Sequence, residues 1–228
     1  MKLLAIETAT EACSVALWLD GEVIERFELA PRRHAELTLP WADELLARAG
    51  VARSQLDAVA IGRGPGAFTG VRLAVAIGQG VALALDRPIV PVSTLAALAM
   101  QAPGPRVLAA IDARMGEVYA ATFALEDGDA RATSSERVLP PDQVPMPEGT
   151  DWHGVGTGFG AADGLLARTL APSLASVQAS ALPRAGDVAR LAARAFARGE
   201  AIAPERAEPA YLRDNVALTL EQQRQLRR

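Results

Sequence analysis

Residues 71–85 read VRLAVAIGQGVALAL, fifteen positions of which only Arg72 and Gln79 are polar. A helix wetted along one side carries a polar stripe, whereas one that is apolar all round has to be covered on every side. Fifteen residues fall short of the ~20 that cross a bilayer, so burial in protein is the favoured reading and no membrane partner is expected. Two covers stay open: the rest of the fold, or a second chain.

The helix is launched from residues 62–70, GRGPGAFTG. A glycine turn that opens a helix can present unpaired N–H groups to an anion. No G-x-x-x-x-G-K-[ST] string occurs, so a Walker A site is excluded. The looser pattern Gly62-x-Gly64-x-x-Ala67 is matched again by Gly156-x-Gly158-x-x-Ala161, which shows how little it discriminates. The favoured reading is a tight strand-to-helix turn whose glycines permit positive φ.

Around this feature the chain alternates strands and helices. Residues 2–7 and 13–19 are short apolar runs, and Asp20-Gly21 is a hairpin signal between residues 13–19 and 22–29. A helix over residues 33–49 stops at Gly50, with Pro40 predicting a start near it or a kink. Strands at 57–62 and 89–92 flank the apolar helix, and 94–101 is helical. An antiparallel meander followed by strand–helix alternation predicts an α/β domain with a mixed sheet. Pro103-Gly104-Pro105 marks a boundary, giving residues 1–103 and 104–228 as two units. In the second, 107–112, 117–123 and 152–155 read as strands, 126–149 as edge strand plus loops, and 161–170 and 184–198 as helices. The end of the chain, residues 220–228, reads as a solvated tail.

Composition narrows the function. Half of the 228 residues are hydrophobic and 22% charged, enough apolar material for a substantial core. The net charge is −4 and Lys2 is the sole lysine among 23 basic residues, so no broad footprint for nucleic acid exists and RNA contact is expected only through another subunit. One cysteine, Cys13, excludes an internal disulfide, and its apolar surroundings make it a buried strand residue. The opening residues hold no signal h-region, so a cytoplasmic protein is expected. His34 and His153 are the only histidines and stand far apart, with no metal-spaced partner. A G-x-S-x-G elbow is missing too. Asp112, Arg114 and Glu117 flank a strand turn and read as hairpin chemistry. No catalytic residue, metal site or cofactor is therefore expected.

The first helix adds a clue. Ala35, Leu39, Ala42, Leu46 and Ala49 form a core-facing stripe, while Leu37 and Trp41 stand one turn apart and off it. With the over-apolar second helix, they suggest a hydrophobic surface for another chain. Ala74, Ala76, Gly78 and Gly80 would let a partner helix approach closely.

Residues 1–17 (MKLLAIETATEACSVAL), 62–72 (GRGPGAFTGVR) and 209–213 (PAYLR) resemble the bacterial TsaB (YeaZ) family, a likeness that spans nearly the whole chain. The resemblance implies an actin/Hsp70-like (ASKHA) fold of two related α/β domains. It implies a part in forming N6-threonylcarbamoyladenosine at position 37 of tRNAs that read ANN codons. In that pathway one enzyme makes threonylcarbamoyl-adenylate, a larger TsaD-like paralogue transfers the group to tRNA, and a small TsaE-like P-loop ATPase supports turnover. This family is the non-catalytic subunit that pairs with the transferase through its N-terminal domain, and it also pairs with itself. The transferase carries a metal-binding His-x-x-x-His after a strand that corresponds to residues 89–92; here Thr94 and Leu98 hold that spacing. Glu7-Thr8-Ala9 stands where actin-like ATPases show Asp-x-Gly. The implied contact set is Leu37, Trp41, Leu73, Ala74, Ile77, Gly78 and Val81. Gly62, Gly64, Pro65, Gly66, Thr69, Gly70 and Arg72 would set the launch angle of the second helix. The rival readings are a self-sufficient metallopeptidase or acyltransferase, and a small-molecule kinase sharing the fold.

Overall fold

The computed structural model describes residues 1–213; the predicted tail at 220–228 lies outside them. The first three strands, β1 (Lys2–Glu7), β2 (Ala12–Leu19) and β3 (Glu22–Leu29), form the expected meander. Its hairpin turns at Asp20 and Gly21, both with positive φ. Helix α1 (His34–Ala49) ends on Gly50 in the left-handed conformation at φ 65°, as the sequence predicts. It begins well before Pro40 and runs through it, so the predicted start near the proline is not observed. Then come β4 (Ala58–Gly62), α2 (Phe68–Leu85), β5 (Ile89–Val92) and α3 (Thr94–Ala99).

The second half repeats the pattern. Strands β6 (Arg106–Arg114), β7 (Glu117–Glu126), β8 (Asp129–Ala132) and β9 (Arg137–Leu139) precede β10 (Trp152–Val155), α4 (Leu165–Thr169), β11 (Leu174–Gln178) and α5 (Ala185–Ala197). The sheets run β3-β2-β1-β4-β5 and β8-β7-β6-β10-β11. Each has antiparallel strands on one side and parallel strands on the other, in the same order. Two such related mixed sheets, with helices between and outside them, make the α/β actin/Hsp70-like arrangement that the resemblance implies.

The layers follow from side-chain alternation. On β1, Leu3 and Ala5 face the space between the sheets and Leu4 faces outward. Helix α5 packs against the inner face of the first sheet, and α3 packs between α5 and the second sheet. Their side chains join Val107, Ala109 and Phe123 from the second sheet in one core. The chain thus crosses back, and α5 serves the first sheet although it follows the second in sequence. Outside the first sheet lie α1, on β2 and β3, and α2, on β4 and β1.

Candidate functional site

The loop after β4 shows how α2 is aimed. Only Gly64 there has positive φ, at 94°. The other glycines are small because the backbone is crowded. A Cβ on Gly62 would overlap the Glu7 carboxylate, on Gly66 the Ala9 carbonyl, and on Gly70 the Thr8 carbonyl. The predicted reason, freedom at positive φ, therefore holds for Gly64 and is replaced by close approach at the other three. Hydrogen bonds seal the contact: Thr8 Oγ1 donates to the Gly70 carbonyl at 2.7 Å, and the Ala67 N–H donates to the Ala9 carbonyl at 2.7 Å. The N–H groups of Arg63 and Gly64 are also spent within the chain, on Val92 O and Thr94 Oγ1. Loop amides consumed this way suit a structural turn better than an anion cradle. Pro65 is buried in the loop, whereas Thr69 is exposed and Arg72 half-buried.

Under the loop sits Glu7, fully buried. Its Oε1 accepts from the Ala9 N–H at 2.7 Å and its Oε2 from Thr94 Oγ1 at 2.9 Å. Burial pushes its carboxyl up to about 7, against the pull of these donors. Thr94 is thus committed to joining β1 to the glycine loop, and Leu98 is buried in the inter-sheet core. His34 is committed as well, with Nε2 against the carbonyls of Thr10 and Ala12. Among the described residues no three His, Cys, Asp or Glu side chains gather closely enough to hold a metal ion.

Helix α2 has 18 residues, so the predicted fifteen was too short, and by length and composition it could cross a membrane. One face is instead committed to the first sheet: Gly70, Val71, Ala74, Val75, Gly78 and Ala82 are buried. Gly78 sits so close to Ile61 that a Cβ would collide with it. Ala74 and Gly78 therefore do not offer a partner-binding surface. Ala74, Ala76, Gly78 and Gly80 cannot all admit one partner helix as expected, because positions two apart point about 200° apart on a helix. Ala76 and Gly80 belong to the opposite, exposed side.

Helix α1 needs a similar correction. Trp41 is 5% exposed and packs with Ala42, Leu45 and Leu46 against β2. Leu37 is partly buried against the same cluster. The outward positions are Ala35 and Leu39, which the sequence reading had put in the core; Leu39 is 47% exposed. An indole buries far more apolar area than an alanine, so it decides which side of the helix turns inward.

What remains between the two helices is an apolar groove of about 380 Å3. Leu39, Ala42 and Leu46 of α1 face Ile77, Val81 and Ala84 of α2 across it, with Asp43 and Arg53 among its polar lining. Of the predicted contact residues, Ile77 and Val81 line this groove, and Leu73 is half-buried elsewhere on α2. Leu39 and Ala84 line it as well, outside the predicted set, and Leu83, 60% exposed, stands on α2 beyond the groove. The periodicity held the signal, had α1 been placed with Trp41 inward.

A second cavity, about 540 Å3, opens between the sheets beside the first turn of α2. Its lining mixes signs, with Arg32, Arg114 and Arg213 beside Glu11 and Asp112. Arg114 pairs with Asp112, two residues earlier at the end of β6 where the β6–β7 turn begins, the hairpin chemistry the sequence suggested.

Over residues 27–220 the chain matches the family described as TsaD: tRNA N6-adenosine threonylcarbamoyltransferase. It is 44% identical over 231 residues to the tRNA threonylcarbamoyladenosine biosynthesis protein TsaB of Escherichia coli strain K12, covering 95% of this chain and 96% of that one. The Haemophilus influenzae protein of the same name is 39% identical over 229 residues, covering 95% of each. A solved structure described as YeaZ from Pseudomonas aeruginosa superimposes with a TM-score of 0.87 at 48% identity, covering 92% of this chain and 99% of that one.

Proposed function

The chain belongs to the TsaB (YeaZ) family, and from that premise we propose that it is the non-catalytic docking subunit of the complex that makes threonylcarbamoyladenosine in tRNA. The α1–α2 groove carries this reading. Exposed apolar surface of this kind is where protein partners bind. The proposed partner is the TsaD-like transferase. This chain itself matches that family's model, so the partner would present an equivalent pair of helices. Two such pairs meeting face to face give a four-helix contact, with Leu39, Ile77 and Val81 supplying the apolar centre and the exposed Leu83 its edge. The N-terminal unit, residues 1–103, is the binding unit, and a second copy of the chain would use the same face.

The transferase would supply the chemistry and hold the tRNA, because this chain has a net charge of −4 and its Thr94 is engaged with Glu7. A TsaE-like P-loop ATPase would join through the complex, and work on tRNA would put the subunit in the cytoplasm.

The test is titration of the purified transferase with this protein and its Leu39→Glu and Ile77→Glu variants, alongside a tRNA modification assay. Both variants should fold, since their side chains reach solvent. Each should weaken binding by roughly thirtyfold or more, the scale of a central interface residue, and slow modification in step. Folded variants that bind like the parent would overturn the reading. Threonylcarbamoyl transfer by this chain alone would do so as well.

A further inference from the structure

Residues 202–213 form a strap that visits five parts of the molecule in twelve positions. At one end, Ile202 exchanges backbone hydrogen bonds of 2.8 Å with Ile89 on the edge of the first sheet. Next the carbonyls of Pro204 and Ala207 accept from Gln79 Nε2, the one polar side chain of α2 beyond Arg72. Ala207 is buried against Val75 and Ala82. Then the Ala210 N–H donates to the Arg63 carbonyl at 2.8 Å, so the strap holds the glycine loop itself. Tyr211 follows, its hydroxyl accepting from Arg72 Nε at 2.8 Å on the first turn of α2. The Arg72 guanidinium also lies over the rings of Phe68 and Tyr211, 3.2 and 5.1 Å from their centroids. At the far end Arg213 leaves the first half of the molecule. It pairs with the Glu117 carboxylate and reaches the Ala113 carbonyl, both on the β6–β7 hairpin of the second sheet.

We propose that this strap is a tie that couples closure of the two halves to the order of the docking helix. The cleft beside α2 is lined from both halves, and strap residues 210–213 line it as they pass from one half to the other. Widening the cleft must either break Arg213 from Glu117 or pull Tyr211 and Ala210 away from Arg72 and Arg63. Closed halves therefore hold the first turn of α2 and its launching loop in place. By reciprocity, a partner that binds the ordered α2 favours the closed halves. The coupling to a partner rests on the docking reading above, whereas the coupling within the chain does not.

The test uses the full chain with Arg213→Glu, and with Arg213→Glu combined with Glu117→Arg to restore opposite charges. Hydrogen exchange at the amides of residues 72–75 reads the order of α2 without any partner, and titration of the transferase reads docking. Arg213→Glu should speed that exchange and weaken docking about three- to fivefold, the scale of one partly exposed ion pair. The exchanged pair should recover most of both. Unchanged exchange in Arg213→Glu overturns the tie, and so does faster exchange that the exchanged pair fails to slow. If the exchange behaves as stated but Ile77→Glu still binds the transferase, the tie stands and the docking reading falls.

Discussion

The two flanks of α2 use the same kinds of residue for opposite ends. On the flank toward the first sheet, Gly70, Ala74 and Gly78 are small and buried so that the helix can come close; Gly70 lies against the Thr8 carbonyl and Gly78 against the Ile61 side chain. On the outward flank, Ala76, Gly80 and Ala84 are small and simply open, and Gly80 and Ala84 border a groove that no other described residue fills. A small residue in an apolar helix is thus a spacing device where its neighbour is its own sheet and, on the proposed docking, a landing place where that neighbour is absent. The distinction decides which substitutions unfold the protein and which leave it folded but alone.

The largest effect should come from the packed side. Trp41→Ala empties the cluster under α1 and should cost about 4 kcal/mol of stability in denaturant unfolding. Were the loss under 1 kcal/mol, Trp41 would not be the anchor of that flank. Gly70→Ala comes next. Its added methyl meets a backbone carbonyl that cannot swing aside, so overpacking of about 3 kcal/mol is expected, with a matching drop in thermal midpoint. An equal change at Gly80, which has open space around it, should leave the protein as stable as before or slightly more so.

Glu7 gives the packed side a pH signature. Its folded pKa, about 7, lies above its ordinary value of 4.5, so the native state binds the proton more tightly than the unfolded chain. The resulting stability is complete below about pH 4.5 and is lost as the pH rises toward 7, at most about 3 kcal/mol in all. Unfolding measured across that window should show the slope in the parent and a flatter line in Glu7→Gln. A remnant of slope is expected from Asp187, which burial also raises, to about 6. On the open side the smallest stability effect is expected. Leu39→Glu should change folding by less than about 0.5 kcal/mol while weakening capture of the transferase by roughly thirtyfold or more.

How much of this could be read from residues alone depends on where the determinant lies. Apolar runs and the Asp20-Gly21 turn are local, and β1 to β5 appear close to where pattern placed them. Strand β11 was missed because LASVQ is short and largely exposed, with no alternation strong enough to announce it. The glycine loop was recognised as a turn, but its reason lay in Thr8, Ala9 and Glu7, more than fifty residues earlier in the chain. Helix α1 was rotated because counting apolar positions gives Ala35 the same weight as Trp41, whereas buried area does not. The strap's PAYLR string marked the family but not what the strap touches, since most of its contacts to α2 and the loop run through backbone carbonyls and amides that any residue carries. For the site, Ile77 and Val81 were legible, and Leu39, the most exposed leucine of α1, was hidden by that misplaced rotation.

The most direct measurement is side-chain oxidative footprinting of this protein with and without the TsaD-like transferase. The account predicts that Leu39, Ile77 and Leu83 become protected together when the partner is added, while Trp41 stays unreactive in both states. Continued reactivity of those three in a saturated complex, with protection appearing instead at Met115 and Val177 on the second half, would contradict it.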